Sequence, residues 1–286
     1  MPNHITNTVK ADNWEILKEK LVREARVGEE NEGGLTVDFN LLIPEPESLN
    51  IISGGAEWET RDYSIDSVQQ RKQRQDMIIK PTLDRVYEEG MSLENFLSAS
   101  KKAVDTSKFV DVYELNMLNE EEVNKDIDNI LKGYYNLRVY GHASWYTWRL
   151  ENWGTRWNAY NDDVSNWNQT LSFDTAWSCP FEVFEELSKY TPVTVSYADK
   201  DTGHNYGIVR FENGERTVIL DDTHRSIGES YACRGEDFEN LEFDFSDDNY
   251  SDEEIEEYFD TDRETFYSKA EKDYNDTMKV LTEVMG

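Results

Sequence analysis

The 286 residues predict an α+β fold built on an antiparallel sheet, and three observations carry that reading. Two stretches repeat the order strand, helix, strand; the long segment between them is helical in its apolar spacing; and an Asn213-Gly214 pair sits between two strand-like runs. Leading into the second repeat is the stretch Trp145 to Trp177, which holds six of the eight tryptophans. So dense a set of large rings predicts the packed centre of a domain.

Residues 3 to 10 alternate as a strand, with Ile5, Thr6, Thr8 and Val9 suited to it. Asp12 then stands where a helix cap belongs, and Trp14, Leu17, Leu21 and Ala25 recur at three- and four-residue steps, one face of a helix. GEENEGG at 28 to 34 ends it, and Leu35 to Ile43 reads as a second strand closed by Pro44 and Pro46. From 47 to 130 the chain turns polar with helical spacing: Met77, Ile78, Leu83 and Val86, then Leu93, Phe96 and Leu97 behind a cap at Ser92. A third helix opens at Asn119 with Glu120 to Glu122 in its first turn, where the helix dipole favours acids. The apolar content of this region is thin for a core of its own, so it reads as an insertion.

After the tryptophans, Thr170 to Thr175 is a strand, Pro180 starts a helix with Phe181, Phe184 and Leu187 on one face, and Val193 to Tyr197 is a strand. Two strand-helix-strand units make a four-stranded antiparallel sheet with two helices on one face, the split βαβ or ferredoxin-like arrangement. The added β-hairpin at Asn213-Gly214 extends that sheet or caps its edge. The predicted organisation is 1–46 for the first half of the core, 47–130 for the helical insertion, 131–222 for the second half plus hairpin, and 223–286 for an acidic, mainly helical C-terminal region. The final helix of that region is predicted from Ser251 to Met285.

Charge is the dominant global property. Sixty acidic against 29 basic residues give a net charge of −31. Between Glu236 and Glu264 there are fifteen acids and one base, so 15 − 1 leaves −14 within 29 residues. Such a balance argues against direct nucleic-acid binding, which needs a basic surface, and favours a basic protein partner. Aromatic residues interleave the acids, as a purely solvating tail would not. Cys179 and Cys233 are too few for a disulfide framework and read as free thiols of a reducing compartment. With no apolar run of about 18 residues and no hydrophobic leader, the expectation is a cytoplasmic protein without a membrane partner. An oligomer is left open.

Three sets of residues compete for function. Asn152, Arg156 and Asn158 surround Gly154 in a loop that could hold a small anionic ligand, although tryptophans at this spacing more often form core. His204 and His224 flank the hairpin beside Asp221 and Asp222, but without metal-ligand spacing, and no motif calls for a metal, a cofactor or a catalytic residue. The third set is the acidic one: Asp247, Asp248, Asp252, Glu253, Glu254, Glu256, Glu257 and Asp260, whose carboxylates could imitate a phosphate array.

Four stretches carry a family resemblance: MPNHITN at the start, VDFNLLIPEPESL at 37 to 49, WYTWRLENWGTRWNA at 145 to 159 and FDTAWSCPFEVFEELS at 173 to 188. Together they resemble the YubB/Api92-like ferredoxin-like family of phage, plasmid and other mobile-element proteins. The chain departs from the family pattern at Arg156, where lysine is expected, and at Cys179, where proline is expected. The resemblance spans about 1 to 50 and 130 to 212 and leaves the insertion and the acidic third unexplained. It implies a fold and a mobile-element habitat and supplies no catalytic residues. The leading expectation is an acidic binding protein that blocks a basic, nucleic-acid-handling host protein such as a defence component; the alternative is a small-ligand-binding protein or enzyme with a cleft near Trp153 to Trp157.

Overall fold

The computed structural model describes residues 3–29, 32–51, 75–105, 107–108, 119–200, 203–238, 251–259 and 261–285. In chain order, β1 (His4–Ala11) is followed by α1 (Trp14–Leu21), the short strands β2 (Val22–Glu24) and β3 (Leu35–Val37), then α2 (Lys80–Val86), α3 (Leu93–Ala103), α4 (Glu120–Tyr140) and α5 (Trp145–Asn152). There follow β4 (Tyr160–Ser165), β5 (Thr170–Ala176), α6 (Phe181–Ser188), β6 (Val193–Asp199), β7 (Tyr206–Glu212), β8 (Glu215–Asp221), α7 (Ile227–Arg234), α8 (Asp252–Phe259) and α9 (Arg263–Met285). Contacts divide the chain into two compact units, Met1–Pro44 with Glu151–Gly286, and Glu45–Leu150.

The first unit is built on a six-stranded sheet in the order β4-β5-β1-β6-β7-β8, antiparallel at every junction. Its first four strands, joined as β1-α1-β4-β5-α6-β6, have the split βαβ connectivity of a ferredoxin-like domain. The added hairpin extends the sheet, as the sequence predicts. Asn213 and Gly214 both take left-handed backbone, φ 54° and 83°, the geometry that a two-residue turn matched to strand twist requires.

The second strand of the core is not the predicted one. Only Leu35–Val37 of the 35–43 stretch is extended, and it pairs with β2 in a separate two-stranded sheet. The Asp38 side chain accepts from the Asn40 amide at 3.0 Å, which turns the chain into a 3-10 helix at Phe39–Leu41 and buries Phe39. Its place in the main sheet is taken by β4, whose sequence YNDDVS lacks apolar alternation and is held by pairing with β5. The first helix also differs. Asn13, not Asp12, caps it, accepting from the amides of Glu15 and Ile16, while Asp12 pairs with Arg210 at 2.7 Å. The helix stops at Leu21, and Ala25 lies just past β2, its amide donating to the Gly34 carbonyl.

Strands β6 and β7 are buried on both faces, which is why they read as near-continuous apolar runs. On one face Phe181 and Phe184 of α6 meet Phe211, Phe184 meets Phe173, and Phe173 leads through Phe39 to Trp153, each ring centroid 5.7–6.3 Å from the next. On the other, Ala198, Tyr206 and Ile208 pack with Cys233 of α7 and with Val280, Leu281 and Val284 of α9.

The second unit has its own buried cluster, centred on Leu83, Phe96, Ile130, Leu131 and Tyr134, with Phe96 stacked on Tyr134 at 5.7 Å. Two helix caps predicted from sequence are in place here. Ser92 accepts from the Asn95 amide, and Asn119 and Glu122 form a reciprocal capping box at the start of α4. That helix continues unbroken past residue 130 to Tyr140, where Gly141 closes it in left-handed conformation. Among the described residues no helix is long and apolar enough to cross a membrane.

Candidate functional site

The acidic surface is carried by helices that close over the sheet. Helix α7 begins at Ser226, whose hydroxyl accepts from the Glu229 amide and donates to Asp273 of α9 at 2.7 Å. It continues through Gly228, which lies against the α9 backbone at Ala270. Tyr206 of β7 fixes the same corner: its hydroxyl donates to Glu229 at 2.7 Å and accepts from the Ser226 amide at 2.8 Å. Ile227, Tyr231, Ile255, Phe266 and Ala270 form the cluster beneath.

The single continuous C-terminal helix expected from Ser251 is two helices. Ser251 is indeed the first cap, accepting from the Glu254 amide at 3.2 Å while its own amide donates to Glu254 Oε2 at 2.8 Å. The second helix starts afresh because the Asp262 carboxylate accepts from the amide and the hydroxyl of Thr265, both at 2.9 Å.

Within α8 the side chains divide by role. Ile255 is fully buried and anchors the helix, whereas Glu253, Glu256 and Glu257 are exposed. Asp252 pairs with Arg263 at 2.5 Å, and Glu254 serves the cap, whose hydrogen bonds from Ser251 hold its carboxyl below the usual range. Asp247, Asp248 and Asp260 lie outside the described residues. The predicted acidic set therefore gives three outward carboxylates and two with local structural partners.

The loop after α5 is tied to the segment that follows β3. Trp153 is fully buried, and its indole N–H donates to the Ile43 carbonyl at 3.0 Å. Asn158 bridges two segments: its Oδ1 accepts from the Phe39 amide at 2.9 Å and its Nδ2 donates to Asp38 at 2.8 Å. Asp38 also takes Arg23 Nε at 2.6 Å. Burial alone would raise the Asp38 pKa, but the hydrogen bonds from Arg23, Asn158 and Asn40 outweigh it and hold the carboxyl below its ordinary range. Asn152 is half-buried at the end of α5. Arg156 is half-buried, its guanidinium carbon 4.7 Å from the Trp177 ring centre.

Arg156 leads to a feature that sequence reading missed. Trp157 and Trp177 are each 40% exposed, with ring centroids 5.2 Å apart. Beyond Trp157 stand Tyr160 and His4, whose rings meet edge to face, with 2.8 Å between the phenol oxygen and Nδ1. Burial, and then the nearby Asp174 charge, push the Tyr160 phenol up to about 12. The only sequence signal was tryptophan itself, which does not distinguish core from surface. His204 is exposed, and Asp222 accepts from the Asn205 amide at 2.9 Å. Burial, and then the nearby Glu182 charge, push the Cys179 thiol well above the usual range, so it is poorly suited to nucleophilic chemistry. No cluster of three potential metal ligands occurs among the described residues.

Sheet order and connectivity define this unit as a ferredoxin-like α+β domain, here with an acidic helical face. Residues 152–280 match the family model described as ferredoxin-like domain in Api92-like protein. The match runs beyond 212 through α7, α8 and most of α9, so the acidic helices fall within the matched stretch. No curated protein and no solved structure matches the chain.

Proposed function

We propose that this protein binds a basic, nucleic-acid-handling protein of the host cell and blocks the groove in which that protein holds DNA or RNA. The observation that carries the reading is the arrangement of α8. Glu253, Glu256 and Glu257 stand outward on a helix pinned by the buried Ile255, within a region that holds −14 of the net −31. Residues three and four apart lie on one helical face, so Glu253, Glu256 and Glu257 form a compact row of charge. The field of the whole chain steers a cationic partner toward it. The mobile-element habitat implied by the resemblance makes a host defence component a fitting target.

The test is capture from host lysate by the full chain. A basic protein should be retained at low salt and released as salt rises, and the joint substitution Glu253→Gln, Glu256→Gln and Glu257→Gln should abolish retention while leaving the fold intact. Retention of no basic protein by the unaltered chain, or equal retention by the substituted one, removes the proposal.

A further inference from the structure

We propose that the Trp157–Trp177 ledge seats an arginine side chain of the partner; the inference rests on the basic-partner reading and adds a second, aromatic contact to it. The first observation is conformational. Trp177 has φ +65°, in the left-handed region that bulky residues rarely enter. Its amide donates to the Asn3 carbonyl at 2.9 Å, and its carbonyl accepts from Asn205 Nδ2 at 3.4 Å, so the backbone on both sides is tied in place. Glycine or asparagine would take this conformation at lower cost. A tryptophan here is both strained and 40% exposed, so part of its indole is open to a partner.

The second observation is chemical. The guanidinium of Arg156 lies 4.7 Å from the Trp177 ring centre, so an indole of this pair holds a planar cation and Trp157 is the ring left for an incoming one. Trp157 stands beside it, tilted by 60° and equally exposed, and Tyr160 extends the ledge. Tryptophan, tyrosine and arginine are the residues that dominate binding energy at protein interfaces. The net charge of −31 selects a cation as the incoming group. A guanidinium is favoured over an ammonium because it is flat, delocalised and weakly hydrated, and so stacks on an indole at smaller desolvation cost.

Calorimetric titration of the full chain with a deca-arginine and a deca-lysine peptide, at about 0.15 M salt to screen distant charges, separates the contributions. The arginine peptide should bind about tenfold more tightly than the lysine peptide. The double variant Trp157→Ala, Trp177→Asn should lose that preference. Trp177→Asn alone should unfold at the same or a higher temperature, since asparagine tolerates left-handed backbone, which distinguishes lost binding from lost folding. Equal affinity for both peptides in the unaltered chain, or a preference that survives in the double variant, overturns the inference. The failures of the two readings separate. If the three glutamine substitutions of α8 leave affinity unchanged while the tryptophan changes remove the preference, the acidic-helix reading falls and the ledge stands. Loss of affinity in the glutamine variant with an unaltered preference in the tryptophan variant gives the reverse, and binding of neither peptide by the unaltered chain removes both.

Discussion

Gly228 of α7 lies so close to Ala270 of α9 that a methyl group on it would stand 2.0 Å from the Ala270 carbonyl oxygen and 2.8 Å from the Tyr274 amide nitrogen. The obstacle is helix backbone, which cannot rotate aside as a side chain could. Gly228→Ala should therefore separate the two helices and cost about 1–3 kcal/mol, the usual range for overpacking a tight site. The measurement is a lower denaturation midpoint together with faster amide exchange along α9. Because α9 and α7 carry the packing under α8, the same change should weaken partner capture without altering a single charge.

Ile255 offers a narrower test of that link. It is the buried residue among the exposed acids of α8 and belongs to the cluster with Ile227, Tyr231, Phe266 and Ala270. Ile255→Ala removes buried methyl groups and should cost about 2–5 kcal/mol where the site cannot collapse. If positioned carboxylates are what a partner meets, affinity should fall while net charge and salt dependence stay the same. Quantitative binding at several salt concentrations checks this, and an unchanged affinity would show that the charge acts only as a diffuse field.

Asp38 makes the first unit sensitive to acid in a defined direction. Its folded carboxyl titrates below the ordinary value, so the stabilisation from Arg23, Asn158 and Asn40 is fully present above about pH 4 and is lost as pH falls through the lower folded value. Asn158→Ala removes one donor to Asp38 and the acceptor of the Phe39 amide. It should cost about 1–3 kcal/mol and move the acid transition to higher pH. Near-ultraviolet circular dichroism followed through an acid titration, for both proteins, reads the shift.

Trp153 and Trp167 contrast two members of one stretch. Trp153→Ala should cost about 3–5 kcal/mol, because a fully buried ring and its hydrogen bond to Ile43 are lost together. Trp167 is 97% exposed in the β4–β5 turn, and its replacement by alanine should change stability by no more than about 0.5 kcal/mol. Thermal unfolding of the two variants decides the matter directly.

Local signals in the sequence determined much of this protein. Alternation located β1, β5 and β6; three- and four-residue spacing located α1, α2, α3, α4 and α6; and Asn213-Gly214 fixed the hairpin, since a left-handed turn leaves few other residue choices. The caps at Ser92, Asn119 and Ser251 were legible because a side-chain oxygen and its amide lie within three residues of each other. The excess of acids was legible for the simplest reason, that charge is additive along the chain.

What depends on residues far apart was decided only by tertiary structure. Strand β4 has no apolar alternation and exists because β5 pairs with it, whereas the apolar 35–43 stretch, the better strand by composition, is turned away after Val37 at Asp38. Asn158 became a bridge to Asp38 and Phe39, 120 and 119 residues distant, and so belongs to the framework. The tryptophans look alike in sequence, yet Trp153 closes a core while Trp157 and Trp177 face solvent, because burial depends on which distant surfaces meet a side chain. The same physics placed Ile255 inward and its glutamate neighbours outward, turning a run of acids into a face with a direction.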